Sequence, residues 1–135
     1  PETQVVLPRL ATPLSSLLFA AASGTLDEAD APRFALDTAV TVVLASEGYP
    51  EAPQTGRVIT GLDAASAVDG VNIAHAATTQ RGDELVASGG RVLSVVAVGT
   101  TFAESVERAY RAIGEIGLDG SHYRSDIAAR VIEGN

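Results

Sequence analysis

"RVLSVVAVGTTFAESVERAYRAIGEIG" (Arg91–Gly117) is the stretch on which the fold turns. Its first nine residues, Arg91–Gly99, form the most continuous apolar run of the chain. They are rich in β-branched side chains, the composition of a strand buried on both faces. The period then changes. Thr101 and Glu104 stand at capping-box spacing, where each side chain can satisfy a backbone N–H at a helix start. Phe102, Val106, Ala109, Tyr110 and Ile113 recur at helical spacing and predict one apolar face. Glu104–Arg108 and Glu107–Arg111 are i,i+4 pairs in the favoured Glu-first order, and Gly117 is the expected stop. A central strand therefore feeds directly into an amphipathic helix.

Working outward, "AVTVVLA" (Ala39–Ala45) reads as a second buried strand. Arg57–Thr60, Val71–His75 and Glu84–Ser88 read as shorter ones. The intervening Ser46–Gly56 holds two Pro and two Gly in eleven residues, too many for regular structure. Upstream, Thr12 is a candidate helix cap and Pro13 a first helical residue. Leu14, Leu17, Leu18, Ala21 and Ala22 follow at helical spacing, with Gly24 as the C-terminal cap. Asp27–Asp30 is an acidic turn that ends at Pro32. Downstream, a short helix is predicted to start near Ser125, turn Ile127 and Val131 inward and stop at Gly134. Short strands joined by turns predict an α+β fold, a mainly antiparallel sheet covered by two or three helices.

Composition narrows the chemistry. The chain has 135 residues, about one domain, and is 46% hydrophobic, so a substantial core is expected. With three Phe, three Tyr and no Trp, that core must be built from Val, Leu, Ile and Ala. No Cys is present, which excludes disulfides and thiolate zinc sites and fits an intracellular protein. The net charge is −8 and the nine basic residues, all Arg, are scattered. Such a surface repels phosphate backbones, so nucleic acid is not an expected partner. The apolar runs are far too short to span a membrane.

Familiar nucleotide motifs are absent: there is no G-x-G-x-x-G and no Walker loop. His75 and His122 have no second His or Cys at ligand spacing, so no metal site is expected. Asp27, Glu28 and Asp30 read as a solvated acidic loop. "ASGGRVL" (Ala87–Leu93) has two readings. Ser88-Gly89-Gly90 can be a hairpin turn whose glycines take positive φ. Alternatively, Arg91 beside exposed backbone N–H groups can receive a phosphate or carboxylate. "EGYP" (Glu47–Pro50) reads as a rigid turn with Tyr49 folded over the core edge. "GSHYRSDI" (Gly120–Ile127) either presents Tyr123 and Arg124 to a partner or is a helix entry capped by Ser125, with Asp126 favourable to the helix dipole.

Taken in order, "PETQ", "VVLASEGYP", "GRVITGL", "HAATT", "SGGRVLSVVAVGTTFAESVERAY" and "GSHYRSDIA" resemble the C-terminal region of the glycinamide ribonucleotide synthetases. These are the phosphoribosylamine–glycine ligases of the ATP-grasp group, and the resemblance covers nearly the whole chain. Pro1-Glu2-Thr3-Gln4 matches the second half of a family signature whose Arg, Gly and Asp would precede Pro1. Glu47 and Ala77 stand where the family often has Gly, which puts local loop shape in question.

The resemblance implies a cytoplasmic enzyme of purine biosynthesis. ATP phosphorylates the carboxylate of glycine, and the amine of 5-phosphoribosylamine attacks the acyl phosphate. ATP and magnesium would be held by residues upstream of Pro1, so none is expected on this chain, which is expected to be inactive alone. Residues 1–38 would be the tail of the ATP-grasp domain and 39–135 the C-terminal α+β domain. The remainder of the enzyme would be its partner. Glu2, Thr3, Gly89, Gly90 and Arg91 are the candidate substrate-binding residues; no catalytic or metal-ligating residue is assigned. Tyr49, Tyr123 and Arg124 would serve packing or the interdomain surface. The alternative is a stand-alone binding or interaction module of the same fold, which should lack an exposed apolar face where the ATP-grasp domain would dock.

Overall fold

The computed structural model describes residues 1–134. Strand β5 (Arg91–Gly99) runs through the middle of a three-stranded antiparallel sheet, flanked by β1 (Thr38–Ala45) and β2 (Val71–His75). Its interior is a run of Val, Leu and Ala because both faces are covered: Val92, Leu93, Val95 and Ala97 have no exposed surface. Each fully buried Val or Leu contributes roughly 1.5–3 kcal/mol relative to an exposed one. Val42 lies opposite Val95, and Ile73 opposite Val95 on the other side, so one layer of branched side chains crosses all three strands.

Helix α4 (Phe102–Gly114) packs on that layer. Thr101 caps it, its hydroxyl accepting from the Glu104 N–H at 3.2 Å. The return half of the capping box lands one residue early: the Glu104 carboxylate accepts from the N–H and hydroxyl of Thr100, at 2.7 and 2.8 Å. The buried stripe is Ser105, Ala109, Ala112 and Ile113, while Phe102 turns away and is exposed. Small residues occupy the stripe because the helix lies close to the sheet; Ser105 satisfies its hydroxyl on Thr38, bonding the Thr38 hydroxyl at 2.7 Å and the Thr38 carbonyl at 3.2 Å. Glu104 pairs with Arg108 at 2.7 Å, whereas Glu107 and Arg111 form no ion pair among the described residues. Arg108 also reaches Asp69 and the Val98 carbonyl, pinning the turn before β2. The helix ends at Gly114, not Gly117; Gly117 bridges instead to Thr60.

The predicted strand at Arg57–Thr60 resolves into two isolated bridges, Val58 to Val86 and Thr60 to Gly117. These residues stitch separate layers together and have no continuous partner. A short helix, α3 (Leu62–Ser66), follows where no helix was expected. A second sheet, two-stranded, pairs β3 (Thr78–Arg81) with β4 (Glu84–Ala87) through the tight Gly82-Asp83 turn. The ends also differ from expectation. Helix α2 (Leu14–Ser23) has Pro13 at its N-cap, and the Thr12 hydroxyl accepts from the Arg33 N–H instead of capping; Gly24 does close it, in the left-handed conformation. The last helix, α5 (Ala129–Ile132), begins after Ala128 with no side-chain cap, so Ser125 starts nothing. Ile127 packs on the core, but Val131 is 54% exposed.

Before β1 the chain is a different kind of surface. Helix α1 (Thr3–Val6) lies across the second face of the sheet, touching β1 and β5. Beyond it Leu18, Phe19, Leu26 and Leu36 project outward, Phe19 74% and Leu36 98% exposed.

Candidate functional site

The face of the sheet turned away from α4 carries the candidate site. One four-residue helix, α1, is too small to cover it, and clefts open along its flanks. The central cleft, about 500 Å³, is bordered by Gln4, Tyr49, Ala77, Gly90, Arg91 and Ser94. It is the most polar of the three clefts beside α1. The two outer clefts are mainly apolar; one is bordered by Val5, Thr41, Phe102 and Ile127, the other by Leu7, Asn72, Val96 and Val98.

A break in β5 puts Arg91 in the central cleft. Strict alternation back from Ser94 would place Val92 there and bury Arg91 against α4. Instead the β1–β5 register shifts: Leu44 lies opposite Leu93 and Ala45 opposite Arg91, so Val92 is an extra residue without a partner on β1. The extra residue lets Val92 and Leu93 both be buried completely while Arg91 shares the cleft with Ser94. Such bulges re-aim a side chain that the pleat would otherwise point inward.

The segment before Arg91 is held between Ser46 and Ala77, the Ser88 N–H donating to the Ala77 carbonyl at 2.9 Å and the Ala77 N–H to the Arg91 carbonyl at 3.0 Å. The Ser46 N–H donates to the Gly90 carbonyl at 2.8 Å, and the Ser46 hydroxyl to the Gly89 carbonyl at 2.8 Å. The N–H groups of Gly89 and Gly90 have no protein acceptor among the described residues. Neither glycine has positive φ, and β4 and β5 belong to different sheets, so the hairpin-turn reading is overturned. The glycines are required for space. A Cβ on Gly90 would enter the ring of Tyr49, and one on Gly89 would stand 3.0 Å from the Cβ of Ala77.

The five residues singled out from sequence do not converge. Gly90 and Arg91 border the central cleft, and Gly89 lies just behind them against Ala77. Glu2 borders one outer cleft and Thr3 the other. The Glu2 carboxyl is held below its ordinary range, first by its own backbone N–H and then by the Pro1 amino group. Sequence reasoning missed Ser94 and Gln4. Ser94 looked like one more residue of an apolar strand; a lone hydroxyl inside such a run was the available signal.

Tyr123 stacks obliquely on Tyr110, with centroids 6.2 Å apart. Arg124 is tied to Asp126 by two bonds of 2.8 and 2.6 Å, so Asp126 serves that pair and not a helix dipole. Glu47, in the Ser46–Gly56 loop, forms an ion pair with Arg57, whose guanidinium also donates to the Asp119 carbonyl at 2.7 Å. Among the described residues no three of His, Asp and Glu gather at metal-binding spacing. No helix is long and apolar enough to cross a membrane.

The α+β domain thus leaves one sheet face half covered, with Arg91 bordering its central cleft. Residues 39–130 match the family model described as phosphoribosylglycinamide synthetase, C domain, and the chain belongs to that family. It is 65% identical over 134 residues to a phosphoribosylamine–glycine ligase of Leifsonia xyli subsp. xyli, covering 96% of this chain and 32% of that protein. It is 54% identical over 132 residues to the ligase of Streptomyces coelicolor, again covering 96% and 32%. The crystal structure of the phosphoribosylamine–glycine ligase from Thermotoga maritima superposes with a TM-score of 0.76 at 32% identity, covering 93% of this chain and 30% of that one. The chain thus spans about a third of the length of these relatives.

Proposed function

We propose that this chain is the C-terminal part of a phosphoribosylamine–glycine ligase, joining glycine to 5-phosphoribosylamine through a glycyl phosphate made with ATP. The observation that carries the reading is the 65% identity, along almost the whole chain, to a protein of that name. On this reading ATP and magnesium are held by other parts of the ligase, and this domain closes the substrate side of the active site. Residues 1–38 are the tail of the ATP-grasp domain, and 39–135 form the C-terminal domain. The partner is the rest of the same enzyme, in the cytoplasm.

The outward-facing Leu18, Phe19, Leu26 and Leu36 support this division, since so many large apolar side chains exposed within one short segment fit a surface that packs against another part of the protein. The same surface counts against a stand-alone module. Gly90 and Arg91 contribute donors for anionic substrate groups, and Glu2 and Thr3 approach the glycine side. The purified 135-residue chain, given ATP, magnesium, glycine and phosphoribosylamine, should form no glycinamide ribonucleotide. Sustained product formation by this chain would overturn the proposal.

A further inference from the structure

The loop that follows β1, residues 46–56, is tied to the rest of the domain at its ends and hardly in between. The Ser46 N–H donates to the Gly90 carbonyl at 2.8 Å, and the Gly56 N–H to the Ala87 carbonyl at 2.7 Å. Both ends therefore hang on the short segment that leads into β5. Between them, every hydrogen bond among the described residues stays inside the loop. The N–H groups of Tyr49, Ala52 and Gln54 donate to the carbonyls of Ser46, Gly48 and Glu47, at 3.2, 2.8 and 2.8 Å. Gly48, at φ +79°, makes that inner turn possible, because a Cβ there would meet the Ala52 carbonyl. No residue from 47 to 55 is buried, and only Tyr49 and Pro53 are half-buried. The loop is a small folded body of its own, with closely spaced ends.

Two side chains, Tyr49 and Glu47, reach from this body to the domain. The Tyr49 ring rests in the space left by the missing side chain of Gly90 and borders the central cleft. Glycine gives the ring a seat without interlocking it. Glu47 forms its ion pair with Arg57. Arg57 is fixed on the domain side. Its guanidinium donates to the Asp119 carbonyl at 2.7 Å and lies 3.7 Å from the Asp119 carboxylate, and its backbone carbonyl accepts from the Ala87 N–H at 2.9 Å. Gly120 leaves room for the pair, since a Cβ there would meet both Arg57 and Glu47. A segment with no buried residue and no hydrogen bond to its surroundings opens at far lower cost than the core beneath it.

We propose that residues 47–55 are a flap that swings as one unit at the edge of the central cleft, with the Glu47–Arg57 pair as the clasp that holds it closed. The position described here is the closed one, in which the Tyr49 ring walls the cleft beside Gly90. Ser46 and Gly56 are the hinge points. Release of Glu47 frees the body to rotate on them, taking the ring off Gly90 and widening the cleft. The device belongs to this domain and holds whatever the cleft receives, so it does not depend on the ligase reading.

The test is amide hydrogen exchange of the isotopically labelled 135-residue chain, read by NMR. The amides of Tyr49, Ala52 and Gln54 should exchange through one shared opening, faster than those of Ala45 and Ala87, which bond His122 and Arg57 outside the loop. Glu47→Gln should speed the loop amides about two- to fivefold, the range for a partly exposed ion pair, and leave Ala45 and Ala87 unchanged. Raising the salt from about 0.05 to about 0.5 M should speed the same amides in the parent chain but not in Glu47→Gln, because salt screens the pair. Glu84→Gln removes the Arg81–Glu84 pair on the β3–β4 hairpin and, as the control, should leave the loop unchanged. The Gly90 and Arg91 amide resonances should move in Glu47→Gln toward their positions in Tyr49→Leu, as the ring leaves Gly90. Loop amides that exchange only with global unfolding, that show no protection in the parent chain, or that ignore Glu47→Gln would overturn the proposal. A Gly90 resonance unmoved by Glu47→Gln would overturn it as well, since the loop would then have no link to the cleft.

Discussion

The ring of Tyr49 occupies the space into which a side chain at Gly90 would project. Forty-odd residues separate the two in sequence, yet the contact decides where the cleft wall stands. Tyr49 comes from the loop after β1, and Gly90 immediately precedes β5, so the contact locks the loop to the strand that carries Arg91 and Ser94.

Gly90→Ala should therefore be destabilising by about 1–3 kcal/mol, the usual cost of overpacking. Removing the ring should relieve it. Gly90→Ala combined with Tyr49→Ala should be more stable than the sum of the single changes predicts, a coupling that urea unfolding of all four forms would measure. Additive effects would show that the contact carries no strain.

Gly61 is a more severe case. Its φ is +78°, and a Cβ there would meet the Glu115 carbonyl. Gly61→Ala should cost about 2 kcal/mol or more, from the left-handed backbone and the clash together. Gly82, also at positive φ but with nothing near a Cβ, is the control: Gly82→Ala should cost less in the same denaturation measurement.

Ser105 tests the polar seam between α4 and β1. Its hydroxyl is fully buried and bonds Thr38 twice. Ser105→Ala should lower stability by about 1–2 kcal/mol, because Thr38 loses a buried partner. Ser105→Val should cost more, since the stripe of small residues leaves no room for added methyl groups.

Acid should weaken the start of α4. The Glu104 carboxyl is held below its ordinary range, first by the Thr100 hydroxyl, then by the Thr100 N–H, with Arg108 adding to it. A carboxyl lowered in the folded state stabilises the fold above its unfolded pKa and loses that contribution as pH falls through the folded one. Asp126, lowered chiefly by its hydrogen bonds from Arg124, acts in the same direction. Urea midpoints measured from neutral pH downward should fall across the carboxylate range. Glu104→Gln should flatten part of that fall; an unchanged slope would contradict the assignment.

The strand and helix of Arg91–Gly114 were legible because burial and periodicity are local signals, and both appear at almost the expected bounds. Val71–His75 was legible for the same reason. Arg57–Thr60 looked like a strand because Val58 and Ile59 are β-branched, but its hydrogen bonds go to Leu85, Ala87 and Gly117 in different layers. No local pattern reports that. In the hairpin at Thr78–Ala87 the second strand was legible at Glu84–Ala87, while its polar partner Thr78–Arg81 was hidden, although Gly82-Asp83 marked the turn. In the cleft, Gly90 and Arg91 could be proposed from a Gly-Gly-Arg run. The register shift that aims Arg91, and the hydroxyl of Ser94 beside it, depend on pairing with β1 and on a face that only the assembled sheet defines.

The most direct test of the central claim is an exchange. The matching region of the Leifsonia xyli phosphoribosylamine–glycine ligase, 65% identical to this chain, is replaced by residues 1–135, and glycinamide ribonucleotide formation is measured. The chimera should turn over at a rate comparable to that of its parent. A folded chimera that binds ATP yet forms no product would contradict the account.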